Sequence, residues 1–349
     1  MAIIVRLLQE SEKQLANNFF NEIYKTDRPL KNFEWEFFEG PFGKAIYVIA
    51  VDESVATRIK IVGIQCAIPI ELISSMGVTV LTAKSEDTLV DPGYRGQKIF
   101  ERMYELLFDE CRKAGINYIW GFTPANKAFE RLGFEIPFKA EQALLVFKPA
   151  AAYDYLKKLN PQNKTKDKLS ILGLTILSWL KGLRNIFTSN VSLQEVTVQA
   201  KNSLFKKAYN RHDYFTLNET EAYLNWRLHK NPFQNKYKNF QSTDAAFDAL
   251  INFRKDVSYI EQVISTPGTS TKAELASLIN VFRKQGTPLV RAFCFSSNEE
   301  LIDQGSVLRE VGFTYLKRGS YFVWKSLDDK NAISANQVLI NRLFTQGNL

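Results

Sequence analysis

The stretch that decides the fold spans residues 89–115 and reads LVDPGYRGQKIFERMYELLFDECRKAG. It opens on the apolar end of a predicted strand, which Pro92 interrupts because proline has no backbone N–H for a sheet ladder. Apolar residues then recur at helical spacing, at Phe100, Met103, Leu107 and Cys111. Gly115 is a typical residue just after a helix end. The stretch therefore predicts a strand, a tight turn and an amphipathic helix.

The turn between this strand and this helix is a predicted anion site. A helix amino terminus carries unpaired N–H groups and the positive end of the helix dipole, and phosphate is its natural guest. Arg95 adds a donor for a charge-assisted hydrogen bond. We expect the helix to begin near Gly96, so that Lys98 lies inside it with negative φ and without strain. The competing interpretation is an ordinary strand-to-helix connection in which Arg95 is only solvated.

The composition is that of a globular chain with room for two domains. It has 349 residues, of which 45% are hydrophobic and 23% are charged. The formal net charge of +8 favours anionic ligands in general, but no basic run concentrates it, so we expect no nucleic-acid partner. The three cysteines, Cys66, Cys111 and Cys294, lie far apart and accompany only two histidines. This pattern argues against a metal site and a disulfide framework.

No stretch has the pattern of a membrane span or of a secretion signal. The run MAIIVRLLQESEK, residues 1–13, is interrupted by Arg6 and followed by charge. The longest charge-free apolar run, residues 169–180, falls short of the ~20 residues that a transmembrane helix needs. The expectation is a cytoplasmic protein without a transmembrane segment.

The chain also contains a diverged internal repeat. The landmarks recur in the same order, as Trp35/Pro41-Phe42 with Trp226/Pro232-Phe233, Pro92-Gly93 with Pro267-Gly268, Gly133-Phe134 with Gly312-Phe313, and LLVFKP with YFVWKS. Several ordered matches favour a duplication over chance. Each copy combines helices with β-branched strand material, which predicts a mixed α/β fold.

The repeat sets the predicted domain boundaries. We expect one domain over residues 1–150, a linker with an amphipathic helix over residues 151–192, and a second domain over residues 193–349. The apolar spacing after Lys330 predicts one last amphipathic helix.

The residues VDPGYRGQKIF followed by GFTPANKAFERLGFEI resemble the GNAT (Gcn5-related N-acetyltransferase) superfamily, whose signature is an Arg/Gln-x-x-Gly-x-Gly/Ala turn. The resemblance implies two tandem GNAT-like domains, each a mixed, partly splayed β-sheet flanked by helices. The second copy has no arginine at the position of Arg95 and no second glycine, which implies one cofactor site per chain. The carboxy-terminal copy would then shape the acceptor pocket.

The resemblance also implies roles for single residues. The pyrophosphate of acetyl-CoA, or of another acyl-CoA, would be held by the turn Arg95, Gly96, Gln97, Lys98, Ile99 and Phe100. Leu89 and Val90 would contact the pantetheine arm and the acyl carbonyl through their backbone. Asn126 corresponds to a frequent asparagine of the family. Phe129 stands where many members have a tyrosine that protonates the leaving thiolate.

Two departures from the family pattern bear on activity. Lys98 and Phe100 replace the two small residues of the signature, and Phe129 has no proton to give. For a general base, Glu86 and Asp87 are the best-placed acids, on the strand that leads to the turn. The segment FEWEFFEG, with Glu34, Glu36 and Glu39, either lines an acceptor cleft or is an amphipathic helix laid over the core.

Three functions remain open at this point. The first is an acyl-CoA-dependent N-acyltransferase, in which the amine of a small molecule attacks the thioester directly. An amino sugar is suggested as acceptor because the Trp-x5-Pro-Phe segments resemble those of acetyltransferases of surface polysaccharide clusters. The second is a non-catalytic relative that binds CoA or a metabolite. The third is a Fem-like aminoacyl transferase, which predicts a helical arm and a basic face that the sequence does not show.

Overall fold

A computed structural model describes most of the chain. The described residues are 3–54, 59–159, 172–173, 175–176, 179, 191–210, 213–233, 236–266, 271–294, 307–316, 319–328 and 333–345. Most of the predicted linker over residues 151–192, with most of its amphipathic helix, and the Pro267-Gly268 turn lie outside them. No helix in the described part of the chain is long and apolar enough to cross a membrane.

The described residues of the first half form six strands and five α-helices. The strands are β1 (Ile3–Leu7), β2 (Ile46–Asp52), β3 (Ile61–Ser74), β4 (Thr79–Val90), β5 (Tyr118–Thr123) and β6 (Glu141–Val146). The helices are α1 (Lys13–Tyr24), α2 (Leu30–Phe38), α3 (Ile99–Lys113), α4 (Asn126–Arg131) and α5 (Pro149–Leu159).

The second half continues with eight described strands. They are β7 (Leu193–Val196), β8 (Phe215–Leu217), β9 (Tyr237–Ser242), β10 (Phe247–Phe253), β11 (Ser258–Ser265), β12 (Leu289–Cys294), β13 (Thr314–Leu316) and β14 (Tyr321–Ser326). The named helices are α6 (Asn202–Ala208), α7 (Glu221–Leu224) and α8 (Thr271–Lys284), and a π-helical turn, Asn225–His229, follows α7.

These strands form two sheets of mixed strand orientation. The first has the order β1-β2-β3-β4-β5-β14, with β8 paired to β3, and the second has the order β13-β6-β12-β11-β10-β9-β7. Only β4 with β5 and β11 with β12 run parallel among the described strand pairs. With helices on their faces, these sheets confirm the predicted mixed α/β fold.

The two halves exchange their closing strands. β6, from the first half, lies between β12 and β13 in the second sheet. In return β14 pairs with β5 in the first sheet, where Trp324 faces Trp120. Both closing strands of the repeat therefore form, each in the sheet of the other copy. Because each sheet contains a strand from the other half, the sheets do not divide the chain at residues 150 and 193. These domain boundaries remain predictions.

The first sheet is covered on both faces. Alternate residues of a strand point to opposite faces, and in β2 Val48 and Ala50 pack with α3 while Tyr47 and Ile49 pack with α2. Each fully buried apolar side chain of this kind stabilises the fold by about 1.5–3 kcal/mol. The sheet is thus held between α3 on one side and the α1–α2 pair on the other.

Trp35 and Trp226 join the halves through a reciprocal contact. Their rings stack with centroids 5.1 Å apart and an interplanar angle of 23°. The indole N–H of Trp35 donates to the carbonyl of Trp226 at 3.1 Å, and that of Trp226 donates to the carbonyl of Trp35 at 2.9 Å. Reciprocal hydrogen bonds of this kind are typical of residues related by a two-fold axis. The contact therefore supports the alignment of Trp35 with Trp226 in the repeat.

The carboxy-terminal segment does not form the predicted last helix. Within the described residues 333–345 the backbone makes two short 3-10 turns, Ala335–Gln337 and Arg342–Thr345. Leu343 and Phe344 are buried in the core between the sheets. Tertiary packing of single side chains has overridden the helical spacing.

Candidate functional site

The first sheet opens between β4 and β5, as the sequence predicts. The two strands pair in parallel from Thr82–Tyr118 to Lys84–Trp120. Beyond this point the pairing of β4 with β3 shifts, so that Asp87 and Thr88 both face Gln65. Asp87 takes a left-handed conformation with φ 49°. A bulge of this kind bends its strand, and here it lies where β4 separates from β5.

The opening leads into a cavity of about 510 Å³. Its walls come from α1 and α2, the bulge of β4, the end of β5, α4 and one residue of the second half, Phe233. Gly121 lies at the point where the strands part, and a Cβ there would come within 3.0 Å of the Ser85 carbonyl oxygen. The cavity has the size of an ordinary small-molecule site.

Arg28 and Tyr47 hold the bulge residue Asp87 in place. The guanidinium of Arg28 donates to both carboxylate oxygens, at 3.1 and 2.8 Å, and the Tyr47 hydroxyl donates to one of them at 2.9 Å. The Asp87 side chain is only 4% exposed. With three donors on this carboxylate, Asp87 positions the bulge and is poorly suited to accept a substrate proton.

Glu86 and Glu36 complete the acidic lining. Glu86, from β4, forms an ion pair with Lys84 and keeps partial contact with solvent. Glu36, from α2, is only 3% exposed. Burial raises the pKa of Glu36 to about 7, the charges of Glu86 and Asp87 add to the rise, and Lys84 and Arg28 oppose it. A carboxyl that titrates near neutral pH is suited to accept a proton from an amine.

From the sequence, Glu36 was predicted only as one of three glutamates in an aromatic segment. A sharper signal was present, because Glu36 lies three residues after Phe33 and therefore on the same helix face. Phe33 is fully buried. A carboxyl on the buried face of a helix needs a polar environment, and here the cavity provides it.

The predicted anion-binding turn has a different backbone from the one expected. After a 3-10 turn at Pro92–Tyr94, Arg95 is extended and Gly96 has φ 82°. α3 begins at Ile99, and Lys98 is its left-handed N-cap with φ 55°. The expectation of a negative φ at Lys98 is therefore wrong. The chain thus enters α3 through two residues with positive φ, Gly96 and Lys98. For a residue with a Cβ, such as Lys98, the left-handed conformation costs about 1–2 kcal/mol.

The turn still presents N–H groups to solvent. Among the described residues, none accepts a hydrogen bond from the backbone amides of Gly96, Gln97 and Lys98. Arg95 is exposed beside them. Tyr94 anchors the turn, because its hydroxyl donates to Asp52 at 2.7 Å and accepts from Lys60 at 2.8 Å. Amides without an acceptor beside an exposed guanidinium at the start of a helix are suited to an anion.

The remaining predicted residues lie around this framework. Phe129 is buried, lines the cavity, and packs edge-to-face on Phe100, Tyr104 and Phe134 with centroids 5.8, 5.6 and 5.1 Å away. Phe100, on the apolar face of α3, packs on Tyr104 and Phe129. Leu89 and Val90 end β4 beyond the cavity, and Asn126 begins α4. The structure brings Glu86, Asp87 and Phe129 to the cavity and leaves the turn residues outside it.

The matching opening in the second half is filled by the chain itself. β11 and β12 pair at Ser258–Val290 and Tyr259–Arg291 before they part. Glu261 lies two residues beyond Tyr259, as Glu86 lies two beyond Lys84, and it forms an ion pair with Arg342. The Arg342 guanidinium also stacks on the Tyr259 ring, 3.8 Å from its centroid. The carboxy-terminal segment thus occupies the place in the second half that corresponds to the cavity of the first half.

Comparison with known proteins agrees with this geometry. Residues 4–136 match the family model described as an acetyltransferase (GNAT) domain. The first part of the chain is therefore similar to a GNAT domain. A search of curated protein sequences gives no match. Within the described residues, no group of His, Cys, Asp or Glu side chains could hold a metal ion.

Solved structures share the fold of this chain over most of its length. A probable N-acyltransferase from Enterococcus faecalis V583 has 11% identity and a TM-score of 0.62, covering 94% of this chain and 73% of that one. A GCN5-related N-acetyltransferase from Anabaena variabilis has 12% identity and a TM-score of 0.60, with the same coverage. A tandem GNAT protein from the clavulanic acid biosynthesis pathway has 13% identity and a TM-score of 0.51, covering 95% of this chain and 100% of that one. At such identities the likeness shows the fold alone.

Proposed function

We propose that this protein transfers an acyl group, acetyl in the first instance, from a CoA thioester to an amine of a small molecule. The observation that carries the proposal is the opened sheet, which has a turn with unpaired backbone amides beyond the end of β4 and an acidic cavity at the bulge. An acyltransferase needs both features, because the turn would anchor the acyl-CoA and the cavity would receive the amine acceptor. The GNAT domain match supports acyl transfer as the reaction class.

The turn would hold the carrier. The free amides of Gly96, Gln97 and Lys98 and the guanidinium of Arg95 suit the pyrophosphate of acetyl-CoA. The edge of β4 that turns away from β5, ending at Leu89 and Val90, offers backbone groups to the pantetheine arm. Acetyl-CoA supplies the thioester that is cleaved.

Glu36 is our candidate for the general base. It would take the proton from the acceptor ammonium, and the neutral nitrogen then attacks the thioester carbon. A C–N bond forms, the C–S bond breaks, and the second proton of the attacking nitrogen passes through water to the departing thiolate, which leaves an amide and the thiol of CoA. Phe129 excludes water beside the thioester but cannot protonate the sulfur, so this step lacks side-chain help at that position.

Calorimetric titration with acetyl-CoA tests the carrier site. The unmodified protein should bind at micromolar concentration, and Arg95→Glu should abolish binding by placing a carboxylate against the pyrophosphate. Arg283→Glu, on the exposed side of α8, is the matched control and should bind normally. Binding that survives Arg95→Glu would remove the turn from the site.

A turnover assay separates the enzyme from a non-catalytic binder, which the phenylalanine at position 129 favours. CoA release is followed with a thiol reagent over a panel of amines. Glu36→Gln should lower kcat by about 10²–10⁴-fold, the usual contribution of a general base, without weakening acetyl-CoA binding. Tight binding of acetyl-CoA without release of CoA for any amine would favour the non-catalytic binder.

A further inference from the structure

We propose that the hydroxyl of Thr88 donates a hydrogen bond to the thiolate that departs from the acyl group. Gln65, Ser85 and Tyr104 act as positioning residues behind it. This inference rests on the proposed function and names a catalytic residue of the same site. The ring of Phe129 offers the departing sulfur neither a proton nor a hydrogen bond, so its negative charge needs another donor.

A chain of hydrogen bonds runs from the core of the first sheet to the cavity wall. Gln65, on β3, is fully buried, and its side-chain Nε2 donates to the Ser85 Oγ at 3.1 Å. The Ser85 Oγ lies 2.8 Å from the hydroxyl oxygen of Tyr104, on α3, and that oxygen lies 3.3 Å from the Thr88 Oγ1. Ser85 and Thr88 line the cavity, whereas Tyr104 is fully buried. The chain therefore ends at the place where β4 leaves β5.

The direction of this chain follows from its first donor. Gln65 Nε2 also donates to the carbonyl of Cys66 at 2.9 Å, and because a carbonyl can only accept, the amide nitrogen must lie on this side. Ser85 therefore accepts from Gln65 and can donate to Tyr104, which in turn donates to Thr88. Hydrogen bonds that run head to tail polarise and strengthen one another. In the reverse order two donors would converge on the Ser85 oxygen.

One hydroxyl proton is left over for a ligand. The three hydroxyls carry three protons, and the two contacts between them use two. In the head-to-tail order the third proton belongs to Thr88, and no described residue other than Tyr104 makes a hydrogen bond with its Oγ1. Thr88 is half-buried in the cavity wall, so this proton can meet a molecule bound in the cavity.

Thr88 lies where the carrier would meet the acceptor. It follows the bulge residue Asp87, and the turn with unpaired amides comes later in the chain, at residues 95–98. A CoA held at that turn, with its arm along the end of β4, would bring its thioester to the bulge. Phe129 lies beside the same hydrogen-bond chain, since its ring lines the cavity and packs edge-to-face on Tyr104. Thr88 thus offers a hydroxyl where Phe129 offers none.

The hydroxyl of Thr88 would stabilise charge and would keep its own proton. When the C–S bond breaks, its electron pair stays on the sulfur, and Thr88 donates to this thiolate until the second proton of the nitrogen arrives through water. Burial raises the pKa of Tyr104, and a threonine hydroxyl is a far weaker acid than a thiol, so neither hydroxyl protonates the sulfur itself. A thiolate accepts a hydrogen bond much more strongly than a thioester sulfur does, so the bond acts mainly in the transition state.

Variants of Thr88 test the hydrogen bond. CoA release is measured with acetyl-CoA and the best amine of the panel. Thr88→Val keeps the shape but removes the hydroxyl, and it should lower kcat about 10- to 100-fold, the range for a hydrogen bond to a charged group, with KM unchanged. Thr88→Ser keeps the hydroxyl and should retain most of the activity. Thr79→Val, at the exposed start of β4, is the matched control and should leave kcat unchanged.

Tyr104→Phe tests the chain behind Thr88. It removes the hydroxyl and keeps the ring packing, and it should lower kcat less than Thr88→Val does, because the contact between Tyr104 and Thr88 is long. In the Thr88→Val background it should lower kcat no further, since Tyr104 acts through Thr88. Independent losses from the two substitutions would overturn the positioning role of Tyr104.

The outcomes distinguish this inference from the proposed function. An unchanged kcat in Thr88→Val, or equal losses in Thr88→Val and Thr88→Ser, would overturn the role of Thr88 and leave the acyltransferase standing. If no amine is acylated, a titration of bound CoA decides, in which the ultraviolet absorbance of the thiolate reports the pKa of the CoA thiol. Thr88→Val should raise this pKa by about 1 to 2, which would support the thiolate site even without turnover. An unchanged pKa, or no binding of CoA, would overturn the site.

Discussion

Lys98 shows at the scale of one residue how a departure from the family pattern affects the backbone. The GNAT signature that this turn resembles has glycine at this position, and Lys98 adopts a left-handed φ of 55°. Glycine adopts such a conformation without steric cost, whereas a residue with a Cβ does not. The lysine side chain is exposed, so no packing offsets the strain.

Lys98→Gly should therefore stabilise the protein by about 1 kcal/mol, the lower range for relief of a left-handed residue. The measurement is the free energy of unfolding from urea titration. Lys98→Ala is the matched control, because it removes the ammonium but keeps the Cβ and the strain. If both variants gain equally, the side-chain charge and not the backbone is responsible.

Glu36 should make stability depend on pH. Because its pKa in the folded state is raised to about 7 from 4.5, the folded protein holds a proton that the unfolded chain has already released in that interval. The free energy of unfolding should thus fall as the pH rises from about 4.5 to 7, by up to about 3 kcal/mol.

Glu36→Gln should flatten this dependence, as urea titrations at pH 5 and pH 8 would show. Burial also raises the pKa of Glu274 to about 7, so only the difference between the variant and the unmodified protein isolates Glu36. If Glu36→Gln and the unmodified protein lose the same stability between pH 5 and pH 8, the raised pKa of Glu36 is contradicted.

At the scale of elements, the π-helical turn after α7 carries an unusual side chain. Arg227 follows Trp226 as Glu36 follows Trp35, and it is fully buried. Its Nη1 donates to the Tyr237 hydroxyl at 3.2 Å, while no described residue accepts from its Nε or Nη2. A buried charge without a carboxylate partner is costly.

Arg227→Met should raise the free energy of unfolding by roughly 1–3 kcal/mol, since a flexible apolar side chain fills the same space without a desolvation cost. Arg342→Met is the opposing control. It strands the buried Glu261 carboxylate and should destabilise by about 3–5 kcal/mol. Thermal unfolding measured side by side checks both, and a loss of stability in Arg227→Met would show that water or an anion satisfies the guanidinium.

The local sequence pattern was sufficient to predict a helix or strand where one face of that element is buried. The period of Met103, Leu107 and Cys111 predicted α3, and the β-branched runs predicted β2 and β3. The tail was predicted wrongly because its apolar residues, spaced like a helix, pack into the core from short turns. Spacing alone cannot distinguish these cases, since both bury the same residue types.

For the whole molecule, the strand exchange predicts that the halves cannot separate. β6 lies inside the second sheet, with neighbours on both edges, and β14 covers the edge of β5. A chain cleaved at a protease site introduced within residues 160–168 should therefore migrate as one complex on size exclusion. It should also unfold in a single calorimetric transition, as should the uncut chain. Fragments that part without denaturant would contradict the exchange.

The sequence by itself determined the mixed α/β class, the repeat, the turn between β4 and α3 and the acidic residues of β4. These features depend on local periodicity and on residue types at short spacing, which the printed sequence contains. Only the tertiary structure decided which sheet each closing strand joins, the left-handed backbone at Lys98, the place of Glu36 in the cavity and the filling of the second opening by Arg342. Each of these depends on contacts between residues far apart in the chain or on steric closure of a turn, and no local pattern encodes them.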